Sequence, residues 1–482
     1  MDGRYSINPR IGWRNIDSEI AMFNCENQEI AIWNETASSL WKKMKEGAGF
    51  DELVEFLASE YSISKKIARK DIIAFFQEAI SCGFINYANS GLKTEKLVES
   101  QGQDSKGGEN VLLALEMKAI EKLIPFAITF ETTYACNERC IHCYMDRNRP
   151  SLSFDEVKRI LDEIAAAGCL FISFTGGEFF ARSDALKIVE YASKLHFVID
   201  ILSNGTLITE NIADVLARHP VRRIQVSLYG ATSKTHDSIT RLSGSFRKTL
   251  AGINFLISAG IKVEIAFPLM RMNFHERHLV KDLAKSLGCL MSPSHIITAR
   301  NDGRQDTFRF RLNDEQLRLF LEDEELSGLY AGRKPFQDHQ FYFGFSDLTK
   351  AAPCYSGFNS CAITPSGRAL PCNQLLYEVG DLKKNSFSEI WHNSSRLRYL
   401  RSLTIGKLTK CSKCQLLGFC ARCPGLAFLE GGNLLGPSPE NCRIAAINCL
   451  LKGGEAGGKK ELHSAARRNE RQHEVARRGS RS

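Results

Sequence analysis

Between residues 123 and 300 short apolar runs alternate with longer segments whose apolar positions recur at helical spacing. The runs 126–131, 170–174, 197–202, 223–228, 261–267 and 294–298 are rich in Phe, Ile and Val and read as strands. Strand-then-helix order repeated in this way predicts a parallel α/β sheet, which right-handed crossovers curl toward a barrel. Ligands of such sheets sit at the C-terminal ends of the strands, so the residues following each run carry the functional information.

Ahead of this region the pattern differs. Strand-like pieces at Ile20–Cys25 and Glu29–Trp33 precede amphipathic helical patterns at 36–45, 50–60 and 64–81, with Asn34 and Gly83 as start and stop signals. Residues 1–88 therefore read as a small α+β module. Residues 89–110 hold few large apolar groups and read as a flexible linker. The remainder divides into a barrel region at 111–303, a connecting segment at 304–350, a Cys-rich domain at 351–450 and a basic, disordered tail at 451–482.

A chain of 482 residues with 43% hydrophobic content suits two or three globular domains. Its net charge of +8 lies mostly in the tail, where nine Lys or Arg face four Glu from Lys452 onward. The balanced body argues against a nucleic-acid partner. The chain lacks an export-type start and an uninterrupted apolar run of membrane-spanning length, giving the expectation of a cytoplasmic protein with no membrane partner.

Sixteen cysteines then become the informative feature, because a reducing compartment disfavours structural disulfides. Cys25, Cys82, Cys169 and Cys289 stand alone in apolar surroundings and read as packing residues. After the first barrel strand comes a C-x3-C-x2-C loop of Cys136, Cys140 and Cys143. Three thiolates on so short a loop can grip three irons of a 4Fe-4S cube and leave the fourth open. Thr175-Gly176-Gly177-Glu178 follows the second strand, Ser203-Asn204-Gly205 the third, and Ser227-Leu228-Tyr229-Gly230 the fourth. Gly residues permit close backbone approach to a ligand, and a carboxylate can meet an ammonium.

These motifs resemble the radical S-adenosylmethionine (radical SAM) superfamily, whose C-x3-C-x2-C loop, GGE motif and partial (β/α)6 barrel match residues 123–300. The resemblance implies that Cys136, Cys140 and Cys143 hold a cluster that cleaves SAM. It implies that Gly176, Gly177 and Glu178 receive the methionine amino group, and that Ser203, Asn204 and Ser227 lie near ribose or carboxylate. Arg241 resembles an arginine that meets the SAM carboxylate. His142 takes a position more often aromatic.

Eight further cysteines follow as Cys354-x6-Cys361-x10-Cys372, Cys411-x2-Cys414-x5-Cys420-x2-Cys423 and Cys442, punctuated by Gly and Pro. Paired zinc knuckles are the alternative to two iron-sulfur clusters here. The segment resembles the SPASM domain, an auxiliary-cluster extension, which implies Cys354, Cys361, Cys372 and Cys423 for one 4Fe-4S cluster and Cys411, Cys414, Cys420 and Cys442 for another, three clusters in all. Cys420-x2-Cys423 is a residue shorter than in many members, and Cys449 could replace Cys442. Asn373 follows Cys372 where the sulfatase-maturing branch has an aspartate base, and an amide cannot accept that proton.

Residues 1–88 resemble a PqqD-like, winged-helix-like peptide-recognition domain through Ile32-Trp33-Asn34-Glu35-Thr36-Ala37, Leu40-Trp41, Asp71-Ile72-Ile73 and Cys82-Gly83-Phe84-Ile85. The expectation is a peptide maturase of PqqE-like type: a precursor leader adds as a strand to this module, the linker tethers it near the barrel, and a flavodoxin or ferredoxin donates electrons. Modification of a porphyrin-type or other small molecule is the rival enzyme reading, and a non-catalytic iron-sulfur scaffold the rival of another class.

Overall fold

A computed structural model of the chain describes residues 4–88, 105–145, 150–330 and 347–453. Its front module holds β1 (Arg4–Ile7), β2 (Ile11–Ile16), β3 (Glu19–Asn24), β4 (Ile30–Trp33), α1 (Glu35–Lys45), α2 (Phe50–Glu60), α3 (Lys65–Ser81) and β5 (Ile85–Ala88). Strand β1 pairs antiparallel with β5, and β2-β3-β4 form an antiparallel meander with β4 at one edge. Asn34 and Ser64 accept from the N–H three residues on, which places the first and third helix starts within a residue of those read from sequence. Trp33, Leu40, Trp41, Phe76 and Phe84 fill this module's own core.

Helix α4 (Ser105–Lys122) then leads into β6 (Ala127–Glu131), α5 (Phe154–Ala166), β7 (Phe171–Thr175), α6 (Ala185–Lys194), β8 (Val198–Ser203), α7 (Glu210–Leu216) and β9 (Val221–Ser227). There follow α8 (Ser233–Thr240), α9 (Ser245–Ser258), β10 (Val263–Pro268), α10 (Arg277–Ser286) and β11 (Leu290–Ser294). Strands β6 to β11 pair in parallel in sequence order, the expected α/β barrel sheet. Ile128, Phe130, Ile172, Phe174, Ile199, Ile201, Ile224 and Val226 belong to the helix-facing core. The pleat turns the intervening Thr129, Glu131, Ser173, Asp200, Gln225 and Ser227 to the other face, so the barrel interior is polar.

Two expectations need correction. The sixth strand is Leu290–Ser294, not 294–298. It carries Pro293, which counts against a strand except at a sheet edge, where β11 lies; the apolar Ile297 is buried instead as a coil residue. The linker at 89–110 is shorter than expected: Ser105 already starts α4, while 89–104 lie outside the described residues. The connecting segment 304–350 carries α11 (Asp314–Glu322) and α12 (Glu324–Gly328) before 331–346, which are not described. Most of the tail, 454–482, also falls outside.

The Cys-rich region contributes β12 (Ser360–Ile363), β13 (Arg368–Leu370), β14 (Gly380–Asp381), α13 (Phe387–Asn393), α14 (Ser395–Arg401), α15 (Pro424–Gly431) and α16 (Pro439–Leu451). Strand β12 pairs in parallel with β6, Cys361 opposite Ile128, so this region continues the barrel sheet to nine strands.

The front module is docked rather than loosely tethered. Phe23 and Ala21 of β3 pack with Phe126, Leu170, Phe171 and Val198 at the N-terminal ends of the barrel strands. Arg14 donates to the carbonyls of Cys169 (2.7 Å) and Leu195 (2.9 Å). Trp13 N–H donates to His196 (3.0 Å), and a Cβ at Gly12 would collide with Val198. The module therefore sits at the end of the barrel opposite the cysteine loop.

Candidate active site and cysteine sets

Leaving β6, the chain runs beside the turn after β7: Gly177 N–H donates to Thr133 O (2.8 Å) and Glu178 N–H to Ala135 O (2.8 Å). A Cβ on Gly177 would strike the Ala135 carbonyl, so here glycine permits approach of the loop that leads to Cys136. The cysteine loop is pinned on its far side too, by Arg139 N–H to Thr240 O (2.9 Å) and Ile141 N–H to Ile239 O (3.0 Å) at the end of α8. Arg241 follows directly, left-handed at φ 57° and exposed, its guanidinium in no hydrogen bond or ion pair among the described residues.

Glu178 is 1% exposed. Its carboxylate accepts from Ser203 Oγ (2.8 Å), Asn204 N (2.7 Å) and Phe180 N (3.0 Å), while burial raises its pKa. Two of the expected ligand-contacting residues are thus bonded to a third. Asn204 Nδ2 reaches Asn137 Oδ1 (2.9 Å), Asn137 Nδ2 reaches Thr206 Oγ1 (2.7 Å), and Thr249 Oγ1 holds Asn204 O (2.9 Å). Asn137, Thr206 and Thr249 were not singled out by sequence; only proximity to a motif could have flagged the first two. Tyr229 is buried with its hydroxyl 4.0 Å from Cys140 Sγ, and the His142 ring meets it edge-on at 5.0 Å. Burial lowers the His142 pKa to about 4, keeping the ring neutral.

A buried carboxyl in the barrel interior was likewise missed. Glu131 accepts from the Tyr144 hydroxyl at 3.0 Å, and Tyr144 also bonds the Asn373 side chain. Burial pushes the Glu131 carboxyl up to about 7, against the opposing effect of the Tyr144 bond. Arg300, paired with Asp306, donates to Cys143 O at 2.7 Å.

The later cysteines separate into two neighbourhoods. Cys372 is raised to about 12 by burial and then by the charges of Cys354 and Cys423; Cys361, also buried, has Cys372 among its charged neighbours. Cys420 is raised to about 12 by burial and then by Cys442, Cys411 and Cys414. Cys442 is raised to about 11 by burial and then by Cys411 and Cys414, whereas Cys449 lies farther along α16, 3% exposed. A buried member such as Cys361 resists ionisation unless a cation compensates it, whereas Cys414 and Cys442 are exposed.

Among the described residues no three His, Cys, Asp or Glu side chains converge on a position for one metal ion. The two neighbourhoods of four thiols match in donor type and number the four-thiolate ligation of an iron-sulfur cluster.

Family comparisons match the Radical SAM superfamily over residues 130–284, an iron-sulfur cluster-binding SPASM domain over 354–424 and coenzyme PQQ synthesis protein D (PqqD) over 19–85. An AdoMet-dependent heme synthase of Methanosarcina barkeri is 27% identical over 336 residues, covering 65% of this chain and 95% of that protein. The mycofactocin maturase MftC of Mycobacterium tuberculosis is 28% identical over 362 residues, covering 71% and 90%. The fold is similar to that of Streptococcus suis SuiB bound to precursor peptide SuiA, with TM-score 0.57, 16% identity, and coverage of 90% of this chain and 99% of that one. No described helix is long and apolar enough to cross a membrane.

Proposed function

This chain is a radical SAM enzyme with a SPASM domain and a PqqD domain, and from that premise we propose that it modifies a ribosomally made peptide, by a crosslink or related C–H functionalisation. The observation that carries the reading is the PqqD module at 19–85, with β4 left as a terminal strand of its meander. Unpaired backbone groups on such an edge can take a leader peptide as a further strand.

Cys136, Cys140 and Cys143 would hold a 4Fe-4S cluster with one open iron. When bound, that cluster supplies the electron that splits SAM into methionine and the 5'-deoxyadenosyl radical. The protein's residues bind, orient and shield. Glu178 clamps Ser203 and Asn204 into one surface beside the cysteine loop, and the Gly176-Gly177-Glu178 segment would receive the methionine ammonium. In this reading the exposed guanidinium of Arg241 meets the methionine carboxylate, and Ser227, at the C-terminal end of β9, lies near the ribose or carboxylate. Two further 4Fe-4S clusters on Cys354, Cys361, Cys372, Cys423 and on Cys411, Cys414, Cys420, Cys442 complete the reading, with a flavodoxin or ferredoxin as electron donor.

Anaerobic incubation of the reconstituted full chain with SAM, dithionite and the short peptide encoded beside its gene tests it. The expected result is 5'-deoxyadenosine together with a peptide that has lost hydrogen. Turnover with a porphyrin-type substrate alone would favour the small-molecule reading that the heme synthase relatives suggest. Failure to form 5'-deoxyadenosine would favour the scaffold.

A further inference from the structure

Two arginines stand out because their polar atoms are only partly used. Arg422 lies between Cys420 and Cys423 and is 1% exposed. Its Nη2 donates to the carbonyls of Leu434 (2.6 Å) and Gly436 (2.8 Å), but Nε and Nη1 are buried with no partner among the described residues. Arg401, half-buried, has a related arrangement beside the other cysteine set. Nε donates to Gly357 O (2.7 Å) and Nη1 to Trp391 O (2.8 Å), the guanidinium stacks on the Trp391 ring, and the buried Nη2 is unpartnered.

A buried guanidinium with idle N–H groups is costly unless something anionic completes it. Glu430 and Glu440, the buried carboxylates of the nearby helices, are bonded to Arg311, Ser438 and Arg443 instead. Each arginine adjoins a cysteine set: Arg422 stands between Cys420 and Cys423 in the chain, and Arg401 donates to the carbonyl of Gly357, which lies between Cys354 and Cys361. Arg422 acts electrostatically on Cys420 and Cys442, and Arg401 on Cys361.

Resting on the two-auxiliary-cluster reading, we propose that Arg401 and Arg422 are the resident counter-cations of the two auxiliary clusters, one each, and hold their reduction potentials up. A cluster ligated by four thiolates is negative and becomes more so when reduced, so a fixed buried cation favours the reduced state. The idle N–H groups supply hydrogen bonds to cluster sulfur, which act in the same direction. Both arginines are positioning residues; neither need touch substrate.

The test uses the full reconstituted chain, with iron content and EPR-monitored potentiometric titration as readouts. Arg422→Gln should move the midpoint of one auxiliary cluster to more negative potential and leave the other two centres unmoved. Arg401→Gln should move the other auxiliary cluster alone, and Arg422→Lys should keep most of the parent potential. Loss of about four irons in Arg422→Gln but not in Arg422→Lys would equally support a charge requirement. Unmoved midpoints with full iron, equal shifts at every cluster, or loss of iron in both Arg422 variants would overturn the proposal. A parent chain holding only about four irons would instead overturn the two-cluster reading, and the two failures are thereby distinguished.

Discussion

The Tyr144 hydroxyl donates to the Glu131 carboxyl at 3.0 Å, joining the last strand residue before the cysteine loop to the residue after Cys143. Burial is the main reason that this carboxyl titrates at about 7 rather than the ordinary 4.5. The folded chain therefore keeps a proton that the unfolded chain has released. Stability contributed by the neutral carboxyl is full below about 4.5 and declines as pH rises toward about 7. Glu131→Gln, which cannot ionise, should flatten that slope and raise Tm at pH 8 relative to the parent. Thermal unfolding across pH 4–8, a range of about the width that linkage requires, checks the sign; an unchanged slope would contradict it.

Glu178 takes three donors and offers none, so its amide counterpart turns one NH2 group toward N–H or O–H groups in a buried site. Glu178→Gln should cost about 1–3 kcal/mol of stability. It should also weaken SAM binding, because Ser203 and Asn204 lose their shared anchor, while the iron content of the chain stays near that of the parent. Differential scanning calorimetry and SAM titration separate the two effects.

Replacing Cys136, Cys140 and Cys143 together by Ala should abolish SAM cleavage and lower bound iron from about twelve to about eight per chain, since the other two thiol sets lie elsewhere. Iron and sulfide assay reads this directly. Zinc in place of iron would defeat the auxiliary-cluster reading.

Arg14 carries much of the polar contact between module and barrel, and burial lowers its pKa to about 10. Arg14→Ala strands two carbonyls at a cost of about 1–3 kcal/mol. The variant should lose peptide modification several-fold while retaining SAM cleavage without peptide. Equal loss of both activities would mean that the interface supports the barrel fold itself.

The cysteine loop, the strand-then-helix alternation and the helix start at Asn34 were legible in the sequence, because each depends on residues a few positions apart. Of the four cysteines read as packing residues, Cys25 and Cys169 are buried and Cys82 and Cys289 half-buried. What Glu178 does was not legible, since a carboxylate reads as a ligand until Ser203 and Asn204, some 25 residues on, are seen to occupy it. The true sixth strand was hidden because Pro293 is tolerated only at a sheet edge, and edges are assigned by pairing.

Tertiary structure alone decided that Cys361 enters the barrel sheet beside Ile128, that the front module docks at the N-terminal ends of the barrel strands through Phe23 and Arg14, and that Arg401 and Arg422 keep buried N–H groups without a partner among the described residues. Periodicity and spacing report which face of an element a residue occupies. Which other element covers that face is settled by burial and hydrogen-bond satisfaction across the whole chain, between residues that sequence places hundreds of positions apart.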